Sequence, residues 1–173
     1  MKSATQHKFN SSTNARHIKK IFLLAGFILS LFACNNKKEN NAVLFDVLES
    51  KQTGIDFSNK LTATAQFNMF KYMYFYNGAG VGAGDFNNDG WVDLFFTSNQ
   101  GENKLYLNKG NMQFEDVTMA SKIPQDGGWS TGVSVVDINN DGLLDIYVCR
   151  VGNYDILQSK NQFLICKGIN ENG

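Results

Sequence analysis

GDFNNDGWVDLFF, residues 84–96, decides how this chain is read. It sets Asp85, Asn87, Asp89 and Asp93 close together, puts Gly90 among them and runs directly into an apolar stretch. Carboxylates this dense repel one another unless something positive stands between them. The pattern returns 52 residues later as VDINNDGLLDIYV, residues 136–148, with Asp137, Asn139, Asp141, Gly142 and Asp145 in the same places.

The repeat extends beyond the acidic loops. Upstream, Gly80-Val81 falls on Gly132-Val133, and downstream VDLFFTSN at 92–99 falls on LDIYVCRV at 144–151. NKLYLNKG at 103–110 then matches NQFLICKG at 161–168 with an offset of 58, so the second copy carries a connection six residues longer. The first copy continues as QFEDVT, 113–118, and the second would need that segment after Gly173. The segments between loops are short, rich in Val, Phe, Ile, Leu and Tyr, and bounded by Gly, Asn and Asp, which predicts strands. Leu94–Phe96 and Leu143–Val148 are nearly continuous apolar runs, as expected of strands covered on both faces. No stretch after residue 34 carries a 3.6-residue apolar stripe ending in caps. Four strands per repeat at a period of about 40–50 residues is the pattern of a propeller blade. The expectation is an all-β chain holding part of a β-propeller, about two and a half blades, with repeat 1 over about 78–120 and repeat 2 over about 130–173.

Oxygen-only ligands suit a hard cation, and Ca²⁺ takes six to eight of them. In a tight loop, positions 1, 3 and 5 point inward together: Asp85, Asn87 and Asp89 in one copy, Asp137, Asn139 and Asp141 in the other. Glycine at position 6 permits the positive φ that turns the chain around the ion. Position 7 offers a backbone carbonyl, from Trp91 or Leu143, and position 9 returns a carboxylate, Asp93 or Asp145. Mg²⁺ suits the set less well, since it demands stricter octahedral geometry and keeps its waters. An EF-hand is excluded twice over. Its loop needs Glu at position 12, where this chain has Phe96 and Val148, and it needs helical flanks where these are strands. The plainer alternative is Asx-turn and Asp/Asn-Gly hairpin chemistry with no metal. Two copies with the same ligand types, each keeping the ninth-position Asp, favour the metal.

The stretch GVGAGDFNNDGWVDLFFTSNQGENKLYLNKGNMQFEDVT is similar to the FG-GAP or VCBS repeat, the blade unit of propellers of the integrin α-subunit type. It resembles in particular bacterial VCBS repeat-containing, ASPIC/UnbV-associated lipoproteins. The resemblance covers about residues 42–173 and implies Ca²⁺ ligands at Asp85, Asn87, Asp89, Trp91 (backbone) and Asp93, and at Asp137, Asn139, Asp141, Leu143 (backbone) and Asp145. LFDVLESKQTGIDFSN, 44–59, resembles the lead-in strand before a first full blade. Such propellers usually have seven blades, so this chain departs from the family in length, and it has no ASPIC/UnbV-type C-terminal region. The expectation is a piece of a longer protein or an early end of the reading frame.

The N-terminus reads as a targeting signal. Residues 1–33 hold Lys2, Lys8, Arg16, Lys19 and Lys20 and no acid, and an apolar run of 13 residues follows from Ile21 to Ala33. That run falls short of the roughly 20 residues a membrane-crossing helix needs, and its flanks suit a secretory signal. It ends in Leu31-Phe32-Ala33-Cys34, which resembles a bacterial lipobox and implies cleavage before Cys34 and acylation of that cysteine. An ordinary signal with Cys34 there by chance is the alternative. NNKKENN then reads as a polar tether over 34–41 between lipid and domain, and Asn35 points to an outer-membrane destination at the bacterial cell envelope. Cys149 and Cys166 are expected as two buried free thiols. A simple hairpin of 145–150 with 161–166 separates them by about four residues, roughly 13 Å at strand rise, too far for a disulfide.

Composition narrows the functions. The whole chain balances 16 basic against 16 acidic residues, but without 1–33 it holds 11 against 16. An acidic body argues against a nucleic-acid partner. The only histidines, His7 and His17, precede Cys34, which leaves no Ser-His-Asp or Cys-His arrangement and no His ligands for a catalytic zinc. YNGAGVGAGD, 76–85, contains a loose G-x-G-x-x-A, but Asp85-Phe-Asn-Asn-Asp-Gly follows where a dinucleotide site needs a helix. Small residues that let strands approach closely are the better account of it. Trp129 is expected to pack as a strand aromatic rather than to touch a ligand. The leading reading is a non-catalytic, calcium-stabilised binding or scaffold module held at the membrane by lipid on Cys34, with a protein or glycan ligand. The runner-up is the propeller portion of a larger envelope enzyme acting on polysaccharide or lipid, with its catalytic residues outside this chain.

Overall fold

The computed structural model describes residues 44–168. The targeting signal, Cys34 and the 34–41 tether lie outside the described residues. The chain divides into two units, 1–46 and 47–173, and the architecture below is that of the second.

Seven strands form two antiparallel meanders. The first sheet joins β1 (Val81–Gly84), β2 (Asp93–Phe96), β3 (Lys104–Asn108) and β4 (Phe114–Asp116) in chain order; the second joins β5 (Ser130–Val136), β6 (Asp145–Arg150) and β7 (Gln162–Leu164). β2 pairs Leu94 with Tyr106, and β6 pairs Ile146 with Leu164. These partners are related by the offsets of 52 and 58 read from the sequence, so the two sheets are one structural unit repeated. Each acidic loop is the hairpin connection between the first two strands of its sheet, as the repeat requires. Among the described residues the second sheet has no counterpart of β4.

The core lies between the sheets. Phe86, Phe95 and Leu105 of the first pack against Ile146 and Val148 of the second, with Val133, Val135 and Leu164 half-buried beside them. The small residues of β1 make this approach feasible. A Cβ on Gly82 would stand 2.8 Å from Val135 Cγ2, and one on Gly84 would stand 2.8 Å from Leu144 Cδ1. Close strand packing is thus what Gly80, Gly82 and Gly84 serve, whereas Gly78, at φ 82° and facing open space, serves the backbone turn. The other face of the first sheet is covered by Phe57, stacked on Phe96 with ring centroids 4.8 Å apart, and by Asp56, which accepts the Tyr106 hydroxyl at 2.7 Å. Burial, aided by that bond, pushes the Tyr106 hydroxyl well above its ordinary range.

Three sequence expectations need correction. The 44–59 lead-in forms no strand: it holds a single helical turn, α1 (Ser50–Thr53), closed by a capping box between Glu49 and Gln52, and then lies across the first sheet without joining its ladder. The second apolar run begins pairing at Asp145 rather than Leu143, because Leu143 and Leu144 still belong to the turn. The thiols of Cys149 and Cys166 are free, as expected, but not buried: Cys149 is exposed and Cys166 half-buried. Cys149 shares the outer face of the second sheet with Tyr147 and Phe163, and nothing among the described residues covers that face as Phe57 covers the first sheet. Trp129, just before β5, is buried in an aromatic cluster with Phe67, Tyr72 and Phe75, so packing is its role here.

Candidate metal centre

Both acidic loops fold through the same set of hydrogen bonds. In the first, Asp85 accepts the backbone N–H of Asp89 on Oδ1 at 3.0 Å and that of Gly90 on Oδ2 at 2.8 Å. Asn87 Oδ1 accepts the same Asp89 N–H at 3.2 Å, while its amide donates to Asp89 Oδ2 at 2.9 Å. Asp89 Oδ1 accepts from Trp91 N at 2.8 Å. The second loop repeats every bond. Asp137 takes Asp141 N and Gly142 N, Asn139 both accepts from and donates to Asp141, and Asp141 takes Leu143 N, all within 2.8–3.1 Å. Gly90 and Gly142 adopt φ of 89° and 87°, the left-handed turn assigned to position 6. Asn88 and Asn140 also turn left-handed, at 56° and 58°, a conformation that asparagine tolerates better than most residues.

The ninth-position carboxylates sit differently. Asp93 is 0% exposed and Asp145 1%. Asp93 Oδ2 accepts from Phe86 N at 2.9 Å, at the start of its own loop, and Oδ1 accepts from Asn108 N at 2.8 Å, across on β3. Asp145 does the same with Ile138 N at 3.1 Å and Cys166 N at 2.8 Å. Each carboxylate thus staples its loop to the third strand of its sheet, at its last residue in the first and two residues past its end in the second. Burial pushes the Asp93 carboxyl above its ordinary range, against the pull of the two N–H groups. The sequence reading, which treated Asp93 and Asp145 only as ligands, missed this stapling role.

The structure therefore brings Asp85, Asn87 and Asp89 together on one turn, with Asp137, Asn139 and Asp141 on the other, and sets Asp93 and Asp145 beneath them. Among the described residues no three His, Cys, Asp or Glu side chains stand close enough together to form a metal cluster. The donor chemistry of each loop, one half-buried carboxylate, one exposed carboxylate and an amide oxygen, fits a hard cation and no soft one. A carboxylate oxygen also accepts more than one bond, so the stapling N–H groups do not exhaust Asp93 or Asp145.

A fold of repeated antiparallel sheets, each with a D-x-N-x-D-G loop between its first two strands, defines a class of blade-repeat proteins. Residues 85–148 match the FG-GAP-like repeat family, and the chain carries that repeat there. It is also 26% identical over 119 residues to cartilage acidic protein 1 of Xenopus tropicalis, a match covering 66% of this chain and 18% of that protein. The chain thus matches less than a fifth of that relative's length.

Proposed function

We propose that this chain is a non-catalytic binding module whose blades are braced by two Ca²⁺ ions and which is held at a bacterial envelope by lipid on Cys34. The observation that carries the calcium reading is the bond-for-bond identity of the two loops, with oxygen donors of the same type at the same five positions. Asp85, Asn87, Asp89, the Trp91 carbonyl and Asp93 would hold one ion; Asp137, Asn139, Asp141, the Leu143 carbonyl and Asp145 would hold the other. Bound there, the ion supplies charge neutralisation to a turn that otherwise crowds carboxylates, and fixes the hairpin between the first two strands of each sheet. The lipid reading rests on the basic n-region, the short apolar run and Leu31-Phe32-Ala33-Cys34. Absence of histidine after residue 17 supports a non-catalytic role.

Thermal unfolding in calcium, in magnesium and in chelator tests the metal. Extracellular modules often bind Ca²⁺ at Kd ~10⁻⁴ M. At about 2 mM Ca²⁺ each site then adds roughly 1.8 kcal/mol, and two independent sites roughly 3.6 kcal/mol. A melting point unchanged by chelator removes the calcium reading and leaves Asp/Asn-Gly turns. Metabolic labelling with a fatty-acid analogue tests the anchor: the unmodified sequence takes up label and Cys34→Ala does not.

A further inference from the structure

The backbone turns over repeatedly between Asn68 and Asn77. The Tyr72 N–H donates to Asn68 O at 2.8 Å, Phe75 N–H to Tyr72 O at 3.0 Å and Asn77 N–H to Tyr74 O at 3.1 Å. These turns sort the apolar residues of FNMFKYMYFY, 67–76, into two sets. Phe67, Tyr72 and Phe75 are buried around Trp129, their ring centroids 5.1–5.8 Å from its own. Met69, Phe70, Met73, Tyr74 and Tyr76 stay outside, Phe70 at 90% exposure and Met73 at 78%. The inner set fixes the backbone, and the Tyr154 hydroxyl pins it further by donating to Lys71 O at 2.6 Å. The outer set is therefore displayed on a packed support.

Single apolar side chains on a surface are ordinary, but a contiguous patch marks a contact surface. The chemistry of this one selects its partner. Residues 57–84 are the longest acid-free stretch after residue 34 and carry Lys60 and Lys71, whereas 85–173 holds six basic against twelve acidic residues. The connection beside the patch adds one acid, Asp155, offset by Lys160. An anionic surface is thus met without repulsion where the apolar side chains are. Phe and Met suit the acyl boundary of a bilayer, Tyr suits the headgroup level with its apolar ring and polar tip, and Lys reaches phosphate on an apolar stem. No strand forms over 57–80, so the segment offers no sheet edge for a peptide to extend.

Chain length points the same way. With lipid on Cys34, residues 34–46 reach at most roughly 45 Å when fully extended. That holds the domain beside a bilayer at high effective concentration. We propose that Phe70 and Met73, flanked by Tyr74, Tyr76 and Lys71, seat this domain on an anionic lipid surface. The inference rests on the lipid-anchor reading for its partner, and adds a second contact that fixes which side of the domain meets the membrane.

The test adds the full chain to vesicles of phosphatidylethanolamine and phosphatidylglycerol that carry a phospholipid with a photoreactive acyl chain. Adducts are mapped by mass spectrometry, and yields are normalised to the protein that floats with the vesicles. Adducts are expected within 69–76. Phe70→Ser with Met73→Ser should lower those on Tyr74 and Tyr76 about tenfold, and Lys71→Gln about fivefold. All three positions are exposed, and unchanged urea unfolding verifies that the aromatic cluster survives. Phe163, exposed on the outer face of the second sheet, controls for indiscriminate capture. No adducts within 69–76, adducts on Phe163 as frequent as on Phe70, or adducts that survive the double substitution overturn the proposal. So do concentration-dependent dimers that the double substitution abolishes without any lipid adduct, which would assign the patch to a second copy. Fatty-acid labelling of the same preparations separates the two readings. Label on Cys34 without adducts at 69–76 sinks this inference alone, and adducts at 69–76 without label sink the anchor alone.

Discussion

Asp93 accepts the backbone N–H of Asn108 at 2.8 Å while its other oxygen holds Phe86, so one buried carboxylate ties the acidic loop to the end of the third strand. The stapling carboxylate and the loop carboxylates consequently do separate work. In chelator, Asp93→Ala strands two backbone donors out of reach of water and should lower unfolding stability by about 2–4 kcal/mol. Asp89→Ala removes only exposed turn bonds and should cost less than about 1 kcal/mol there. Calcium should then separate Asp89→Ala from the unmodified protein by about half of the total calcium-dependent gain. Equal losses for the two variants in chelator would show that Asp93 staples nothing.

Much of this was legible in the chain. The offset of 52 places both loops and their hairpins, and the offset of 58 places β7 opposite β6, because each position depends on local turn chemistry and apolar patterning. The family resemblance and the all-β fold followed from the same residues. What was not legible depends on contacts between distant segments. The lead-in around Phe57 alternates in a strand-like way, yet its place is set by Phe96 and Tyr106, roughly forty to fifty residues on. Asp93 reads as a ninth-position ligand until the partner strand brings Asn108 against it. The Asp126–Arg150 pair joins residues outside the motif, and no spacing announces it. The exposure of Cys149 follows from an uncovered sheet face, which strand pattern alone does not reveal.

The Tyr106 hydroxyl is the polar tip of a fully buried ring, bonded to Asp56 of the covering segment. Tyr106→Phe keeps the ring and removes the bond, so it should destabilise by about 1–2 kcal/mol. Asp56→Asn retains an acceptor for the hydroxyl and should cost less. Urea unfolding of both variants checks the order, and a larger loss for Asp56→Asn would mean that the charge rather than the bond holds the segment.

The Arg150 guanidinium holds the Asp126 carboxyl below its ordinary range. A carboxyl depressed on folding contributes stability above its unfolded pKa of about 3.9, and the contribution is lost as pH falls through the lower folded value. Asp126 is more than half exposed, so screening should hold this pH-dependent part below about 1 kcal/mol. Asp126→Asn should be less stable than the unmodified protein at pH 7, where it leaves the buried guanidinium without its counter-charge. The two should converge as the pH falls through the lowered folded value of Asp126. Stability curves that stay parallel across the acid range would remove the pair as a source of pH dependence.

Gly82 is one of the positions where the two sheets meet tightly, and its backbone is not in the left-handed region, so a substitution there tests packing alone. An added Cβ would stand 2.8 Å from Val135 Cγ2 and 3.2 Å from Val133 Cγ2, closer than carbon atoms pack, so β5 must move or a rotamer must strain. Gly82→Ala should cost about 1–3 kcal/mol. Val135→Ala removes the nearer methyl at the price of a small void. If contact with β5 is the cause, the double variant should be more stable than the sum of the single losses allows, with a coupling of about 0.5–2 kcal/mol. Urea unfolding of the four proteins measures it. Additive losses would mean that β1 does not press on β5 through Gly82, and that the small residues of 78–84 serve the turn rather than the approach of the two sheets.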